Sequence, residues 1–253
     1  MKRTVHVFKY ALLCLFMTTS VHAQDNQKNQ PGKKEVKKGQ ISFKSFTAEN
    51  GDVSYGFRMD GLIVGPNMVL HTDGSTTYQN YNKESKIDGV VIQMKKQEGT
   101  IELYTYRHSK KNGPAFKIAN GKVEWKEQFK DDNRDLNGFV VEPPGKYALI
   151  KGDGISGFSM EKYDESYALG YFKWGYRFSP MIHVWENSEW YSYYGQYLGG
   201  GRNGFGVLFY TNGDKYIGYW DDNYKEGLGF WLDKDGNFTE KGHYKGGELE
   251  IAL

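Results

Sequence analysis

The sequence predicts an all-β protein, an elongated antiparallel meander sheet built from repeated two-stranded hairpins. The first observation behind this prediction is a glycine- and aromatic-rich unit that recurs after 23 residues near the C-terminus. A period between 20 and 50 residues is typical of a repeat architecture. The matched positions are Tyr193/Tyr216, Gly195/Gly218, Tyr197/Trp220, Gly204/Gly227, Gly206/Gly229 and Gly213/Gly236.

The second observation is the spacing inside each unit, which is two residues, the period of a β-strand. Tyr216, Gly218 and Trp220 therefore project from one face of a strand. Glycine weakens a strand unless a bulky group must lie where its side chain would be. We therefore expect aromatic rings of one strand to lie over the glycines of its neighbour.

The third observation is the turn chemistry between the strands. Asn212-Gly213-Asp214 and Asp235-Gly236-Asn237 supply residues that accept positive φ angles, as tight hairpins require. Each unit is therefore predicted to be two short antiparallel strands that are joined to the next unit.

The segments 193–209 and 216–232, with a partial copy at 242–244, resemble the MORN repeat. That repeat reads roughly Tyr-x-Gly-x-Trp, a polar turn, then Gly-x-Gly and an apolar strand. The first segment has Tyr197 where tryptophan is usual, and the third stops early. The resemblance implies protein–protein assembly and, in some proposals, association with membranes or lipids. Enzymes that carry such repeats have a separate catalytic domain, and the sequence shows no such domain.

The first 23 residues have the pattern of a secretory signal peptide. Lys2, Arg3 and Lys9 form a basic start, a short apolar run follows, and Val21-His22-Ala23 offers a cleavage site. The apolar run is too short for a transmembrane helix, and Leu13 before Cys14 does not suit a lipoprotein signal. We therefore expect an exported protein, periplasmic or secreted, with no transmembrane segment after processing.

Residues 24–42 are predicted to form a flexible basic leader, because only one large apolar residue, Val36, lies in its polar stretch. The leader holds five lysines and two acidic residues. Removing the signal leaves 30 basic and 31 acidic residues, a net charge of −1. Because the leader carries five of these lysines and only two of the acids, the repeat domain, residues 43–253, is acidic. This balance argues against a nucleic-acid partner, since such partners require a basic surface.

The repeat continues upstream in a degenerate form. Turn-like pairs recur 22 to 25 residues apart at Asp73-Gly74, Glu98-Gly99, Asn120-Gly121 and Pro144-Gly145. Companion glycines recur at a similar spacing, at Gly65, Gly89, Gly113 and Gly138. The register becomes unclear between residues 151 and 190, where Pro180 interrupts any central strand.

No motif in the chain predicts catalysis, a cofactor or a metal site. The string Gly152-Asp-Gly154-Ile-Ser-Gly157 matches a dinucleotide fingerprint, but no alternating strand–helix pattern surrounds it. The histidines of the mature chain lack metal-ligand spacing. A hydrolase using a carboxylate pair remains an alternative, with acids close to aromatic residues at Glu186, Glu189, Asp221 and Asp222.

The abundance of aromatic residues, including 20 tyrosines and 6 tryptophans, is the remaining clue to function. These rings serve either as cross-strand packing or as an exposed row that binds a partner. The candidate partner-binding residues are Trp185, Trp190, Tyr193, Tyr197, Tyr216 and Trp220. The expected partner is another protein, and the alternative is a glycan or lipid of the cell envelope bound through the tryptophan-rich region 174–191.

Overall fold

The computed structural model describes residues 39–134 and 157–253, except for residues 121, 164, 174, 175 and 187. These residues form 18 β-strands in an antiparallel meander, and no helix is present among them. The predicted fold class is confirmed. The described residues therefore contain no helix that could cross a membrane.

The strands form two open sheets of nine strands each, in which every strand pairs with the next one along the chain. The first sheet contains β1 (Ile41–Thr47), β2 (Val53–Met59), β3 (Leu62–Leu70), β4 (Thr76–Tyr81), β5 (Gly89–Lys95), β6 (Thr100–Arg107), β7 (Lys110–Ala119), β8 (Lys122–Lys130) and β9 (Asn133–Arg134). The second contains β10 (Gly157–Tyr163), β11 (Ser166–Lys173), β12 (Tyr176–Trp185), β13 (Trp190–Leu198), β14 (Gly201–Tyr210), β15 (Lys215–Asp221), β16 (Tyr224–Leu232), β17 (Phe238–Lys245) and β18 (Glu248–Ala252).

The second sheet runs back over the first, so that the two sheets pack face to face. At one end the ring of Phe43 in β1 lies 5.1 Å from the ring of Phe230 in β16. At the other end Phe116 in β7 lies 5.0 Å from Phe158 in β10. The strand order of the second sheet is therefore reversed relative to that of the first, and strands β1 and β18 belong to the same end of the molecule.

One hydrophobic core lies between the sheets, and both sheets contribute to it. Along each strand every second side chain points inward, as the period of two predicted. In β14 these are Phe205, Val207 and Phe209, and in β6 they include Ile101 and Leu103, all nearly or fully buried. The opposite faces of the two sheets are turned away from this core.

The predicted turns of the degenerate repeats occur where expected within the described residues. Asp73-Gly74 joins β3 to β4, Glu98-Gly99 joins β5 to β6, and Asn120 lies in the turn after β7. Pro144-Gly145 and Gly138 lie outside the described residues. In the stretch of unclear register, β10 to β12 continue the meander, and Pro180 lies in a β-bulge of β12 opposite Gly170 and Phe172.

The two positions of each Gly-x-Gly strand require glycine for different structural reasons. The second glycine faces a ring: a Cβ on Gly206 would overlap Tyr193, and a Cβ on Gly229 would overlap Tyr216. This finding confirms the expected packing of rings over glycines. The first glycine instead occupies a β-bulge with positive φ, 77° at Gly204 and 72° at Gly227, a backbone conformation that other residues rarely adopt.

Several predictions fall on residues that the structure does not describe. These are the signal peptide at 1–23, most of the leader at 24–42, and Trp174. The dinucleotide-like string also lies outside the described residues, except for Gly157, which begins β10.

Candidate functional site

The face of the second sheet that is turned away from the core carries a second apolar cluster. We call its ring-bearing part the aromatic face, defined by Tyr193, Tyr197, Tyr216, Trp220, Trp231 and Tyr244. A row of glycines paired across neighbouring strands lies beneath these rings, namely Gly195, Gly206, Gly218, Gly229 and Gly242. The absence of side chains in this row leaves the space that the tyrosine rings fill.

The rings of the aromatic face contact one another edge to face. The Tyr216 ring lies 5.2 Å from the ring of Trp220 and 5.2 Å from that of Tyr244, at interplanar angles of 86° and 84°. Tyr193 contacts Trp220 at 5.7 Å and Tyr197 at 5.3 Å in the same manner. Such pairs are each worth about 0.5–1.5 kcal/mol beyond their buried area. The cross-strand ladder is thus a packing unit of the fold.

The structure brings together the predicted binding residues Tyr193, Tyr197, Tyr216 and Trp220 but does not expose them. Tyr193 and Tyr216 have no exposed surface, and Tyr197 and Trp220 retain 3% and 5%. The expectation of an exposed aromatic row is therefore corrected for these four. Tyr193 and Tyr216 are buried because their rings lie over the glycine row. Tyr197 and Trp220 pack against these two rings edge to face and lie next to the cationic side chains of Arg177 and Arg202.

The two remaining predicted residues lie toward the other end of the face. Trp185, at the end of β12, is partly buried and stacks on His183 with ring centroids 4.0 Å apart. Trp190 begins β13, but its side chain lies outside the described part of the structure. The two tryptophans are thus separated by the turn that joins β12 to β13.

Cationic residues cover the aromatic face, and sequence analysis missed them. Arg177, Arg202 and Lys225 are each the last paired residue before a bulge, on strands β12, β14 and β16. Lys111 occupies the same place in β7 of the first sheet, with Nζ 4.0 Å from the centroid of the Tyr104 ring. The 23-residue interval between Arg202 and Lys225 equals the repeat period and was the available signal.

Arg202 is held in a fixed position. Its guanidinium carbon lies 4.4 Å from the centroid of the Trp220 ring. The side chain donates from Nη2 to the backbone oxygen of Asn223 at 3.2 Å and from Nε to Asn223 Oδ1 at 3.4 Å. Only 4% of Arg202 is exposed, so this positive charge is built into the sheet surface.

Lys225 lies among three rings of the aromatic face. Its Nζ is 4.8 Å from the ring centroid of Trp231, 5.4 Å from Tyr244 and 5.7 Å from Tyr216. Within the described residues, the Lys225 ammonium forms no hydrogen bond and no ion pair. Burial lowers the pKa of Lys225, while the charge of Glu240 acts in the opposite direction.

His183 forms a buried polar contact at the other end of this face. Its Nδ1 lies 2.9 Å from the hydroxyl of Tyr197 and 3.4 Å from Arg177 Nη1. Because a guanidinium can only donate, Nδ1 accepts and the ring proton resides on Nε2. Burial, followed by the charges of Arg177 and Arg202, lowers the pKa of His183 to about 3.

A cavity opens between the starts of β14 and β16, next to both Arg202 and Lys225. Its volume is about 570 Å³, which is within the range of small-molecule sites. Leu208, Tyr210 and Tyr224 contribute its apolar and aromatic wall. The complete lining is Arg202, Leu208, Tyr210, Trp220, Asp222, Asn223, Tyr224, Lys225 and Gly247.

The arrangement of acids around this cavity does not reproduce the pair that a carboxylate hydrolase needs. Of the four acids noted in the sequence, Asp222 alone lines the cavity. Asp221 instead accepts a hydrogen bond from the side-chain amide of Asn203 at 3.0 Å. In the described part of the chain, no group of three His, Cys, Asp or Glu residues is placed to hold a metal ion.

The first sheet contains an Asp–His–Thr chain that has the order of an acid–base relay. His71 Nδ1 lies 2.8 Å from Asp52 Oδ2, and Nε2 lies 2.8 Å from the Thr77 hydroxyl. Asp52 Oδ1 also accepts the backbone N–H of Thr72 at 3.0 Å and so joins two neighbouring turns. Asp214 makes the equivalent bond to Lys234 at 3.0 Å, without a histidine. The hydrogen bonds of Asp52 and His71 are thus explained by the packing of neighbouring turns against each other.

No family model matches the chain, and no curated protein matches it. The fold and the aromatic face define a β-hairpin repeat protein of two packed sheets. Its function is therefore inferred from its own residues.

Proposed function

We propose that the chain is an exported, non-catalytic, MORN-like repeat module that binds another protein. The observation that carries this proposal is the end of the molecule where both sheets stop. Strands β1 and β18 are the outermost strands of their sheets. Phe43 of β1 contacts Phe230 and Phe238, at 5.1 Å in each case, so β1 lies above β16 and β17, next to β18.

These edge strands expose apolar side chains, and their outer backbone edges pair with no other described strand. Phe46 of β1 is 61% exposed and Ile251 of β18 is 56% exposed. An outermost strand offers N–H and C=O groups to an extended segment of a partner, which then adds a strand to the sheet. Alternate side chains of that segment would contact the exposed apolar residues.

The charge of β18 specifies the chemistry of the partner segment. Glu248 and Glu250 belong to this short strand. An extended segment that carries lysine or arginine would complement the two carboxylates and associate faster because of the attraction. The MORN resemblance, which implies protein–protein assembly, and the signal-like residues 1–23, which imply export, support the same proposal.

An affinity capture with the mature chain, residues 24–253, tests the proposal. The chain is crosslinked in an envelope fraction of its host, and the wild type is compared with Ile251→Asp. We expect one or two stoichiometric protein partners with the wild type and their loss with the variant. Hydrogen exchange should show protection of the β18 amides in the complex.

Leu198→Asp serves as the matched control, because Leu198 is 58% exposed but lies at the turn after β13. This variant should capture the same partners as the wild type. Equal capture by Ile251→Asp would contradict the edge as the binding surface. Recovery of glycan or lipid without protein would instead favour the envelope-binding alternative.

A further inference from the structure

We propose that the cavity beside Lys225 binds an anionic small molecule, whose carboxylate or phosphate group lies against the Lys225 ammonium. This site is on the aromatic face, and the inference does not depend on the proposed protein partner at the β1/β18 end. Three features support it: the local balance of charge, the surroundings of Lys225 and the shape of the wall.

The charge balance of the cavity is positive. Arg202 and Lys225 line it together with a single carboxylate, Asp222. Asp222 is exposed at the surface, where water screens its charge more than it screens the buried Arg202. An anion that enters the cavity therefore experiences a net attraction.

Among the residues that the structure describes, Lys225 has none of the hydrogen bonds or ion pairs that a half-buried ammonium usually makes. Three aromatic rings surround it at 4.8 to 5.7 Å, and none of them is anionic. The carboxylate of Glu240, whose negative charge acts on Lys225, accepts a hydrogen bond from the Tyr244 hydroxyl at 3.0 Å. The aromatic faces attract the cation, and a ligand oxygen would add charge-assisted hydrogen bonds to this attraction.

Arg202 contributes a second charge that is already ordered. Its bonds to Asn223 and its stacking on Trp220 fix the guanidinium before any ligand arrives. No side-chain entropy is then lost at this residue on binding, which favours affinity. Arg202 acts on the anion through its field, while Lys225 supplies the direct contact.

The corresponding cations elsewhere lack this combination. Arg177 faces the carboxylate of Glu161, with Nε 3.9 Å from Oε2, and also contacts His183. Arg202 and Lys225 are successive cations of the repeat that line one cavity. The apolar and aromatic wall beside them, Leu208, Tyr210 and Tyr224, suits a ligand whose anionic group is attached to a ring.

Binding can be measured on the mature chain with four probes: glucose 6-phosphate, glucuronate, inorganic phosphate and glucose. We expect the two acidic sugars to bind and glucose not to bind. A weaker response to inorganic phosphate would show that the ring contributes, whereas equal affinity would place all recognition in the anionic group. The affinity should fall as salt is added, because the contact is between charges.

Three variants locate the site. Lys225→Met should weaken binding of the acidic sugars about tenfold or more, since it removes the charge that contacts the ligand. Lys225→Arg should retain most of the affinity. Lys234→Met is the matched control, because Lys234 lies at the exposed turn after β16, and it should bind as the wild type does.

A measurement on the wild type keeps the proposal testable if Lys225→Met does not fold. In ¹H–¹⁵N spectra, the indole N–H signals of Trp220 and Trp231, assigned by Trp→Phe variants, should shift when glucose 6-phosphate is added. Absence of binding by both acidic sugars at about 10 mM, a concentration that would fill most of a site with a Kd of about 1 mM, overturns the proposal. Binding that leaves both indole signals unchanged, or that Lys225→Met does not weaken, also overturns it.

Discussion

The ionisation of His183 is coupled to folding, because the ring is buried and accepts a hydrogen bond at Nδ1. Protonation would direct an N–H at the Arg177 guanidinium, so the folded state disfavours the cation. The pKa falls from 6.5 to about 3. The unfolded chain therefore binds more protons than the folded chain between these two values, and stability decreases as the pH falls through that window.

We predict that lowering the pH from 7.5 to 5 removes about 2 kcal/mol of stability through His183. The comparison is urea unfolding of the wild type and of His183→Asn at both pH values. The variant should lose less stability than the wild type over this interval, because it has no ring to protonate. An identical loss in both proteins would show that His183 does not carry the pH dependence.

The buried tyrosines show why residue type alone did not reveal exposure. A tyrosine in a thin sheet can bind a partner or pack across strands, and both uses are common. Tyr193 and Tyr216 pack because glycines on their own strand and on the next strand leave room for the whole ring. Each hydroxyl donates a hydrogen bond to the backbone oxygen three residues further along the chain, that of Gln196 or Tyr219. The polar end of each buried tyrosine therefore has a hydrogen-bond partner within the protein.

At the scale of the strand, the Gly-x-Gly pattern combines a bulge with a ring site. The bulge at Gly204 or Gly227 shifts the register so that Arg202 and Lys225 come to lie opposite Tyr197 and Trp220. The cation at the start of the strand can then cover the rings of the aromatic face. A regular strand would place that side chain in a different position relative to the rings.

Two glycine substitutions should separate these roles. A Cβ on Gly218 would overlap the Tyr216 ring, so we expect Gly218→Val to destabilise the protein by about 3 kcal/mol or more through overpacking. Gly227→Ala is the matched comparison, because its Cβ would have an ordinary 3.5 Å contact with Tyr219 and the cost is backbone strain at φ 72°. That cost should be about 1–2 kcal/mol.

Thermal and urea unfolding of both variants measure the difference. Tyr216→Leu in the Gly218→Val background should recover part of the lost stability, because it removes the atoms that overlap. An unchanged melting temperature for Gly218→Val would contradict the account of rings packed over glycines.

At the scale of the whole molecule, the two sheets depend on each other for burial. Phe230 of the second sheet is fully buried and contacts Phe43 and Phe57 of the first, at 5.1 and 6.1 Å. The Tyr171 hydroxyl of β11 lies within hydrogen-bond distance of two backbone oxygens of the first sheet, 3.1 Å from that of Glu127 and 3.3 Å from that of Ala115. Among the described residues, each sheet has only the other sheet to cover its inner face, so the sheets should unfold together.

We predict that Phe230→Ala destabilises the protein by about 3–5 kcal/mol. Both sheets should unfold in one transition, and the substitution should lower its midpoint temperature. Calorimetry measures the transition, and Tyr224→Ala, at a residue 62% exposed, is the control expected to have little effect. Two separate transitions in the wild type, with only one of them shifted by the substitution, would show that the sheets fold independently.

The strands, the turns and the packing of rings over glycines could all be predicted from the residues alone. These features follow from local chemistry: side-chain alternation sets the strand, and residues that tolerate positive φ set the turn. The 23-residue repeat extended this local pattern along the chain. Asp73-Gly74 and Glu98-Gly99 could therefore be identified as turns although their repeats are degenerate.

The burial of each sheet face depends instead on how the two sheets pack against each other. Inner and outer residues alternate identically in a single sheet and in two packed sheets, so the pattern could not show that β10–β18 returns over β1–β9. The same ambiguity concealed the burial of Tyr193 and Tyr216, the cavity beside Lys225, and the common end of β1 and β18. Each of these depends on contacts between residues far apart in the chain, and local sequence patterns do not encode such distances.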